Sequence, residues 1–275
     1  ARHENGFVAV AGRLFLLGGR GERPLDIFDP ATGQWQQGAK PPFELHHMQA
    51  VAYDDKLYVL GALTGGFPEE KSIANILIYN PATDTWETGP EIPAQRQRGG
   101  SGVVVHNGLI YLIGGNNRGH MSGFVAWLDV FNPATGQWTA LADAPHARDH
   151  FHAVVIDDQI YAAAGRMSSH DTGETMSLTV SAVDVYDIKT QRWHTLDAPL
   201  PTPISNKIMQ SAYMSICVLK VSLRQALKAM AARPDAMLIV GAGSAAAMPQ
   251  INLRERGWNG PIYQTHGAAS PDLVR

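Results

Sequence analysis

"DVFNPATGQW", residues 129–138, reads as a short apolar strand, a tight turn carrying Pro133 and Gly136, and then Trp138. The chain writes this phrase almost four times: "DIFDPATGQW" stands at 26–35, "LIYNPATDTW" at 77–86 and "DVYDIKTQRW" at 184–193. The closing tryptophans, Trp35, Trp86, Trp138 and Trp193, lie 51, 52 and 55 residues apart. Recurrence at one period near fifty residues is the mark of a repeat architecture.

Working outward from the motif, each copy contains an earlier apolar segment in the same register: "LFLLGG" at 14–19, "LYVLGA" at 57–62, "IYLIGG" at 110–115 and "IYAAAG" at 160–165. Before each stands another apolar run, "FVAVAG", "AVAYDD", "GVVVHN" or "AVVIDD", whose last two residues suit a tight hairpin turn. Each copy is therefore predicted to hold four short strands. In "NPATG", Asn132 can accept a hydrogen bond from the turn backbone, Pro133 pre-sets the next backbone angle, and Gly136 supplies the left-handed residue. Asp84 and Gln191 replace that glycine in the second and fourth copies, which weakens the pattern without breaking it. The Gly pairs 18–19 and 114–115 are read as places of close approach, and the four tryptophans as packing between units.

Four-stranded units at this period resemble kelch-type blades of a β-propeller. The expected fold is mainly β: four recognisable blades, about 1–44, 45–95, 96–147 and 148–203, forming an incomplete propeller, followed by a short α/β segment. More narrowly, "RHE" at 2–4, "LHHMQAV" at 45–51, "RQRGG" at 96–100 and "RDHFHAVV" at 148–155 resemble bacterial kelch proteins grouped with galactose-oxidase-like propellers. The resemblance covers residues 1–203. A copper-radical oxidase of that group needs a tyrosine joined to a cysteine, and the only cysteine here, Cys217, lies outside the repeats. That departure argues against oxidase chemistry.

Composition sets further bounds. The chain has 275 residues, 45% hydrophobic and 17% charged, enough to bury a core. No apolar run approaches the twenty or so residues of a membrane span. The first residue is Ala, with no basic-then-apolar leader, so a targeting segment is expected to be absent or removed. Residues 1–203 carry 14 Lys+Arg and 22 Asp+Glu, whereas 204–275 carry 8 and 3. The acidic larger part argues against nucleic acid, which asks for a basic stripe. The change of sign suggests a boundary.

The residues that open each repeat are polar where a structural strand would be apolar. Counting back from the aligned second strand puts Arg2, Leu45, Arg98 and Arg148 in one column, followed by His3, His46, Gly99 and Asp149, and then by Glu4, His47, Gly100 and His150. His3, His46, His47, His150 and His152, five of the eleven histidines, fall here. In a kelch propeller these positions enter the innermost strand at the central channel, so Arg2, His3, Glu4, His46, His47, Arg96, Arg98, Arg148, Asp149, His150 and His152 are the expected ligand-binding residues. The bland alternative is a hydrated channel lining. His150 and His152 would share a strand face, but no Cys, Asp or Glu stands at fixed ligand spacing, so neither a metal nor a cofactor is expected.

After Pro203 the repeat stops. Residues 222–232 show helical apolar spacing, "AMLIVG" reads as a buried strand, 245–256 as a second helix and "PIYQT" as another strand. The stretch 222–275 resembles part of a type 1 periplasmic solute-binding protein of the branched-chain amino acid transporter family, and 204–221 is the expected junction. "GAGSAA" at 241–246 lacks the Gly-Lys-Ser/Thr ending of a phosphate loop and is read as a turn. The resemblances imply an extracytoplasmic place. The expected function is a binding module for a glycan or a protein partner through the polar channel mouth, with self-association through open blade faces. One alternative is a sugar mutarotase or epimerase using Arg148, His150 and Glu4 for acid–base work. The other is solute capture for transport, resting on the tail.

Overall fold

Each of the four copies folds into its own antiparallel sheet. The first comprises β1 (Asn5–Val10), β2 (Arg13–Gly18), β3 (Leu25–Asp29) and β4 (Gln34–Gly38), paired in chain order. In the second, β5 (Val51–Tyr53) and β6 (Lys56–Val59) are separated from β9 (Asn75–Asn80) and β10 (Thr85–Glu91) by a small hairpin, β7 (Leu63–Thr64) with β8 (Lys71–Ser72). The third holds β11 (Gly102–His106), β12 (Leu109–Ile113), β15 (Leu128–Asn132) and β16 (Gln137–Ala140), with the inserted hairpin β13 (Asn116–Arg118) and β14 (Ser122–Phe124). The fourth is β17 (His152–Ile156), β18 (Gln159–Ala163), β19 (Asp184–Asp187) and β20 (Arg192–Thr195). This is a four-blade propeller arrangement. Among the described residues the only helical element is a 3-10 turn at Ala94–Arg96. The computed structural model describes residues 2–167, 169–174 and 178–200, and the backbone of 237–239 and 262–264.

The turns explain the register. The hairpins joining the first two strands of the first three blades have two successive left-handed residues, Ala11–Gly12, Asp54–Asp55 and Asn107–Gly108, the backbone of the turn that matches strand twist. In the third blade the turn sits one residue later than the "HN" of the sequence, on Asn107–Gly108, because glycine takes the second left-handed position without strain. Between strands three and four, Asp29, Asn80 and Asn132 each accept a hydrogen bond from the backbone two residues on, at 2.8, 2.9 and 3.0 Å. Asp84 and Gln191 adopt left-handed backbone where Gly33 and Gly136 stand in the other blades. Asparagine and aspartate tolerate that conformation, and Gln191 is held in it by the turn.

The aromatic pairs follow from this register. Phe28–Trp35, Tyr79–Trp86, Phe131–Trp138 and Tyr186–Trp193 are cross-strand partners with ring centres 5.0–5.2 Å apart. The indole N–H of Trp86 donates to the Ala39 carbonyl, that of Trp138 to Glu91 and that of Trp193 to Ala142. Each of these three tryptophans therefore ties its blade to the one before. The glycine pairs serve the next joint. Gly19 N–H donates to the Leu45 carbonyl and Gly115 N–H to the Arg148 carbonyl, at 2.8 and 2.7 Å. A Cβ on Gly18 or Gly114 would stand 2.3 or 2.7 Å from those same carbonyl oxygens.

The core sits between sheets. Phe15, Leu17, Leu57, Val59, Ile76, Leu112 and Phe131 belong to one buried cluster, and Val104, Tyr111, Phe151, Ile160 and Tyr186 to a second. Each such side chain contributes roughly 1.5–3 kcal/mol on burial.

The chain divides into two compact units, Ala1–Pro203 and Ile204–Arg275. In the second, β21 (Met237–Ile239) pairs in parallel with β22 (Ile262–Gln264). The helices expected at 222–232 and 245–256, the junction 204–221, and Cys217 lie outside the described residues.

Candidate functional site

The third residue of each blade opening has left-handed backbone: Glu4, His47, Gly100 and His150 have φ of 59, 52, 65 and 51°. Their main chains form a ladder from blade to blade. His47 N–H donates to the Glu4 carbonyl, Gly100 N–H to His47 and His150 N–H to Gly100, at 2.8–2.9 Å. The residue before each of the last three pairs with the residue just past the second-strand motif: His46 with Leu63, Gly99 with Asn116, Asp149 with Arg166. A left-handed non-glycine residue costs on the order of 1–3 kcal/mol, and such strain concentrates where side chains must be aimed. Here it gathers His47 and His150, with Glu4 beside them.

The first column goes elsewhere, which corrects the expectation for its arginines. Arg98 and Arg148 are 0% and 1% exposed. Arg98 pairs with Asp129 at 2.7 Å and donates to the Gly114 and Leu112 carbonyls. Arg148 pairs with Asp184 at 2.6 Å and donates to the Ala164 and Ala182 carbonyls. Arg2 meets Asp26 at 2.7 Å and the Gly18 carbonyl at 2.8 Å. A buried guanidinium needs this degree of pairing, so these side chains clamp their own blades instead of lining a channel mouth. The second blade has Leu45 at this position and Leu77 where the others carry the aspartate, both buried in the core. Arg96 also belongs to the blade, with Nε 3.0 Å from Asp129 and its guanidinium 4.4 Å from the Trp127 ring centre. His3 is half exposed, with Nδ1 3.5 Å from Glu4.

The expected pairing of His150 with His152 along one strand face does not form. β17 begins at His152, and His150 precedes it in left-handed backbone, so strand alternation does not relate them. Burial alone lowers the His152 pKa to about 4. Of the three residues named for acid–base work, Glu4 and His150 join the cluster described next and Arg148 does not.

That cluster is built around three imidazoles. His47, His120 and His150 pack edge to face in a triangle with ring centres 4.5–5.0 Å apart. His46 Nδ1 lies 2.6 Å from His47 Nδ1, and its Nε2 lies 3.0 Å from the Gly65 carbonyl. Glu4 Oε1 is 3.1 Å from His47 Nε2, Glu70 Oε1 is 2.8 Å from His120 Nδ1, and Asp149 Oδ1 is 2.9 Å from His150 Nδ1. Arg20 bridges Glu4 and Glu70. Arg166 Nη2 lies 3.1 Å from His120 Nε2 and 2.9 Å from His150 Nε2, while Asn116 donates to Asp149.

Burial sets the charge states. It pushes His47 down to about 3, helped by His150 and opposed by Glu4, and holds His150 well below its usual range with help from Arg166. It pushes Asp149 up to about 6, against Arg166 and Asn116. For Glu4 burial acts upward, but His47 and Arg20 outweigh it and hold the carboxyl well below the usual range. His120 and Arg20 do the same for Glu70. At neutral pH His47 and His150 are therefore uncharged beside ionised Glu4 and Glu70.

The second and third columns bring Glu4, His46, His47, Asp149 and His150 near one another but leave out five members. Arg20, Asn116 and Arg166 stand one residue past the second-strand motif, a column the same alignment defines, so their signal was present. Glu70 and His120 sit in the inserted hairpins, where no repeat register applies. Around this floor the connections between second and third strands carry exposed apolar side chains: Phe67, 55% exposed and 5.0 Å from the His120 ring, Met167 and Leu178.

Comparison with known proteins agrees with the fold. The chain is 29% identical over 214 residues to the kelch-like protein terF of Aspergillus terreus, an alignment covering 73% of this chain and 45% of that one. It is 27% identical over 189 residues to kelch-like protein 38 of Mus musculus, covering 67% and 31%. The chain thus spans less than half the length of these curated relatives. The solved structure of YjhT superposes with a TM-score of 0.63 at 20% identity, covering 76% of this chain and 68% of that one, a likeness of fold. Residues 1–224 match the Attractin/LZTR1 beta-propeller family, and the chain, a kelch-type propeller, belongs to that family.

Proposed function

We propose that the propeller is a recognition module that takes a segment of a protein partner on the face formed by the β6–β9, β12–β15 and β18–β19 connections. The observation that carries this reading is the exposed apolar rim, Phe67, Met167 and Leu178, set around a charged and buried floor. Exposed aromatic and methionine side chains beside polar groups are the composition of a binding surface, since they gain most from leaving water when a partner covers them. Loops on a rigid β scaffold are where such surfaces are built. The connections of the second and fourth blades carry these side chains, and the one of the first blade, 19–24, is shorter. Truncating a central aromatic anchor costs about 2 kcal/mol or more of binding. The test is a peptide library displayed on phage and selected on the full chain. Selected peptides are expected to lose about 30-fold in affinity on F67A/M167A. Peptides that bind the double variant as tightly as the parent, or a selection that enriches none, would overturn the reading.

A further inference from the structure

We propose that His47, His120 and His150 form a binding site for one divalent transition-metal cation of the imidazole-preferring class, with Zn2+ the probe of choice. The proposal rests on the floor of the cluster and is independent of what the rim binds. One ring nitrogen from each histidine lies within 4.8 Å of the others. Tetrahedral zinc at its usual bond length sets such nitrogens about 3.4 Å apart, so each ring needs to advance by about 0.8 Å. The three rings are mutually edge to face, at 68–79°, so they can converge like a tripod without stacking on one another.

Glu70 is hydrogen-bonded to His120 Nδ1, Asp149 lies 2.9 Å from His150 Nδ1 and Glu4 3.1 Å from His47 Nε2, and a metal ion on His47 Nδ1 would displace its 2.6 Å contact with His46 Nδ1. Metal-binding histidines are supported in this way, because the carboxylate fixes the ring and makes the ligating nitrogen more basic. The geometry also shows that a cation is already accommodated. An arginine can only donate, so Nε2 of His120 and of His150, both facing Arg166 Nη2, present lone pairs, and the ring proton of His120 sits on Nδ1 toward Glu70. A metal ion would take the place of Arg166 Nη2, which makes Arg166 a built-in competitor. Three histidines leave a fourth position open, and imidazole donors favour zinc, copper, nickel or cobalt over magnesium or calcium.

The experiment uses the full chain freed of metal by chelator dialysis. Zn2+ titrated calorimetrically is expected to bind at one equivalent with micromolar or tighter affinity, and Co2+ to give the intense visible bands of a four-coordinate nitrogen site. E70Q is expected to weaken binding by about 10–100-fold, H120A by more, and R166M to tighten it. His120 lies at a hairpin tip, and a thermal melt establishes that H120A is folded. The Co2+ spectrum of the parent protein needs no variant and serves alone if H120A does not fold. Absence of saturable binding, a Co2+ spectrum of weak octahedral bands, or Zn2+ binding that is unchanged in folded H120A would each overturn the proposal.

Discussion

At the scale of single residues, the blade-opening column performs a substitution experiment on itself. Three blades pair an arginine with an aspartate, half-buried in Arg2–Asp26 and buried in Arg98–Asp129 and Arg148–Asp184, and the second blade fills both places with leucine, Leu45 and Leu77. The physics makes the two solutions comparable. Desolvating two charges offsets much of their attraction, whereas leaving one partner buried alone is costly. R98L should therefore destabilise the protein by about 3–5 kcal/mol, because Asp129 loses its main counter-charge. R98L/D129L should recover most of that loss. Urea denaturation of the two variants and the parent checks this, and a double variant as unstable as R98L would show that the carbonyl contacts of Arg98 matter more than its ion pair.

At the scale of the element, the outer hairpin of each blade carries an aromatic pair whose value depends on having a neighbour. Trp138 packs on Phe131 and donates to the Glu91 carbonyl of the preceding blade. Trp35 packs on Phe28 in the same way but is 55% exposed. The cross-strand pair is common to both, while the joint to the previous blade distinguishes them. W138A should cost about 3 kcal/mol, near the lower end for a packed tryptophan, and W35A about 1 kcal/mol. Thermal unfolding of the two variants measures the difference, and equal losses would mean that the cross-strand pair alone carries the energy.

At the scale of the propeller unit, one side chain joins three blades. Gln49, which precedes β5 of the second blade, accepts from the Val103 and Ala153 backbone N–H groups at 3.0 and 2.9 Å and donates to the Ala153 carbonyl at 2.9 Å. The innermost strands of the third and fourth blades, β11 and β17, thus share a single amide. Repeat proteins are stabilised chiefly by nearest-neighbour interfaces, and this contact reaches beyond the nearest neighbour. Q49L should leave two buried N–H groups unpaired at about 1–3 kcal/mol each. Hydrogen exchange is expected to speed up at Val103 and Ala153 together. Acceleration at only one of them would show that the two blades open independently.

The sequence by itself determined the repeat, the four strands of each blade, the turn chemistry and the aromatic and glycine positions. These features are local or periodic: a left-handed turn residue, a strand and a cross-strand pair depend on neighbours a few residues away, and each is written four times. It also brought forward the histidines at blade openings, since their register could be counted. Only the tertiary structure decided which way those openings point. The left-handed backbone at Glu4, His47 and His150 breaks the alternation that a strand reading assumes. It leaves Arg98 and Arg148 turned into the blades and His47 and His150 turned toward each other. Glu70 and His120 arrive from inserted hairpins without any repeat register, and Arg20 and Arg166 from different blades, so their meeting depends on how the sheets are arranged about one another, a relation that no single segment of the chain encodes.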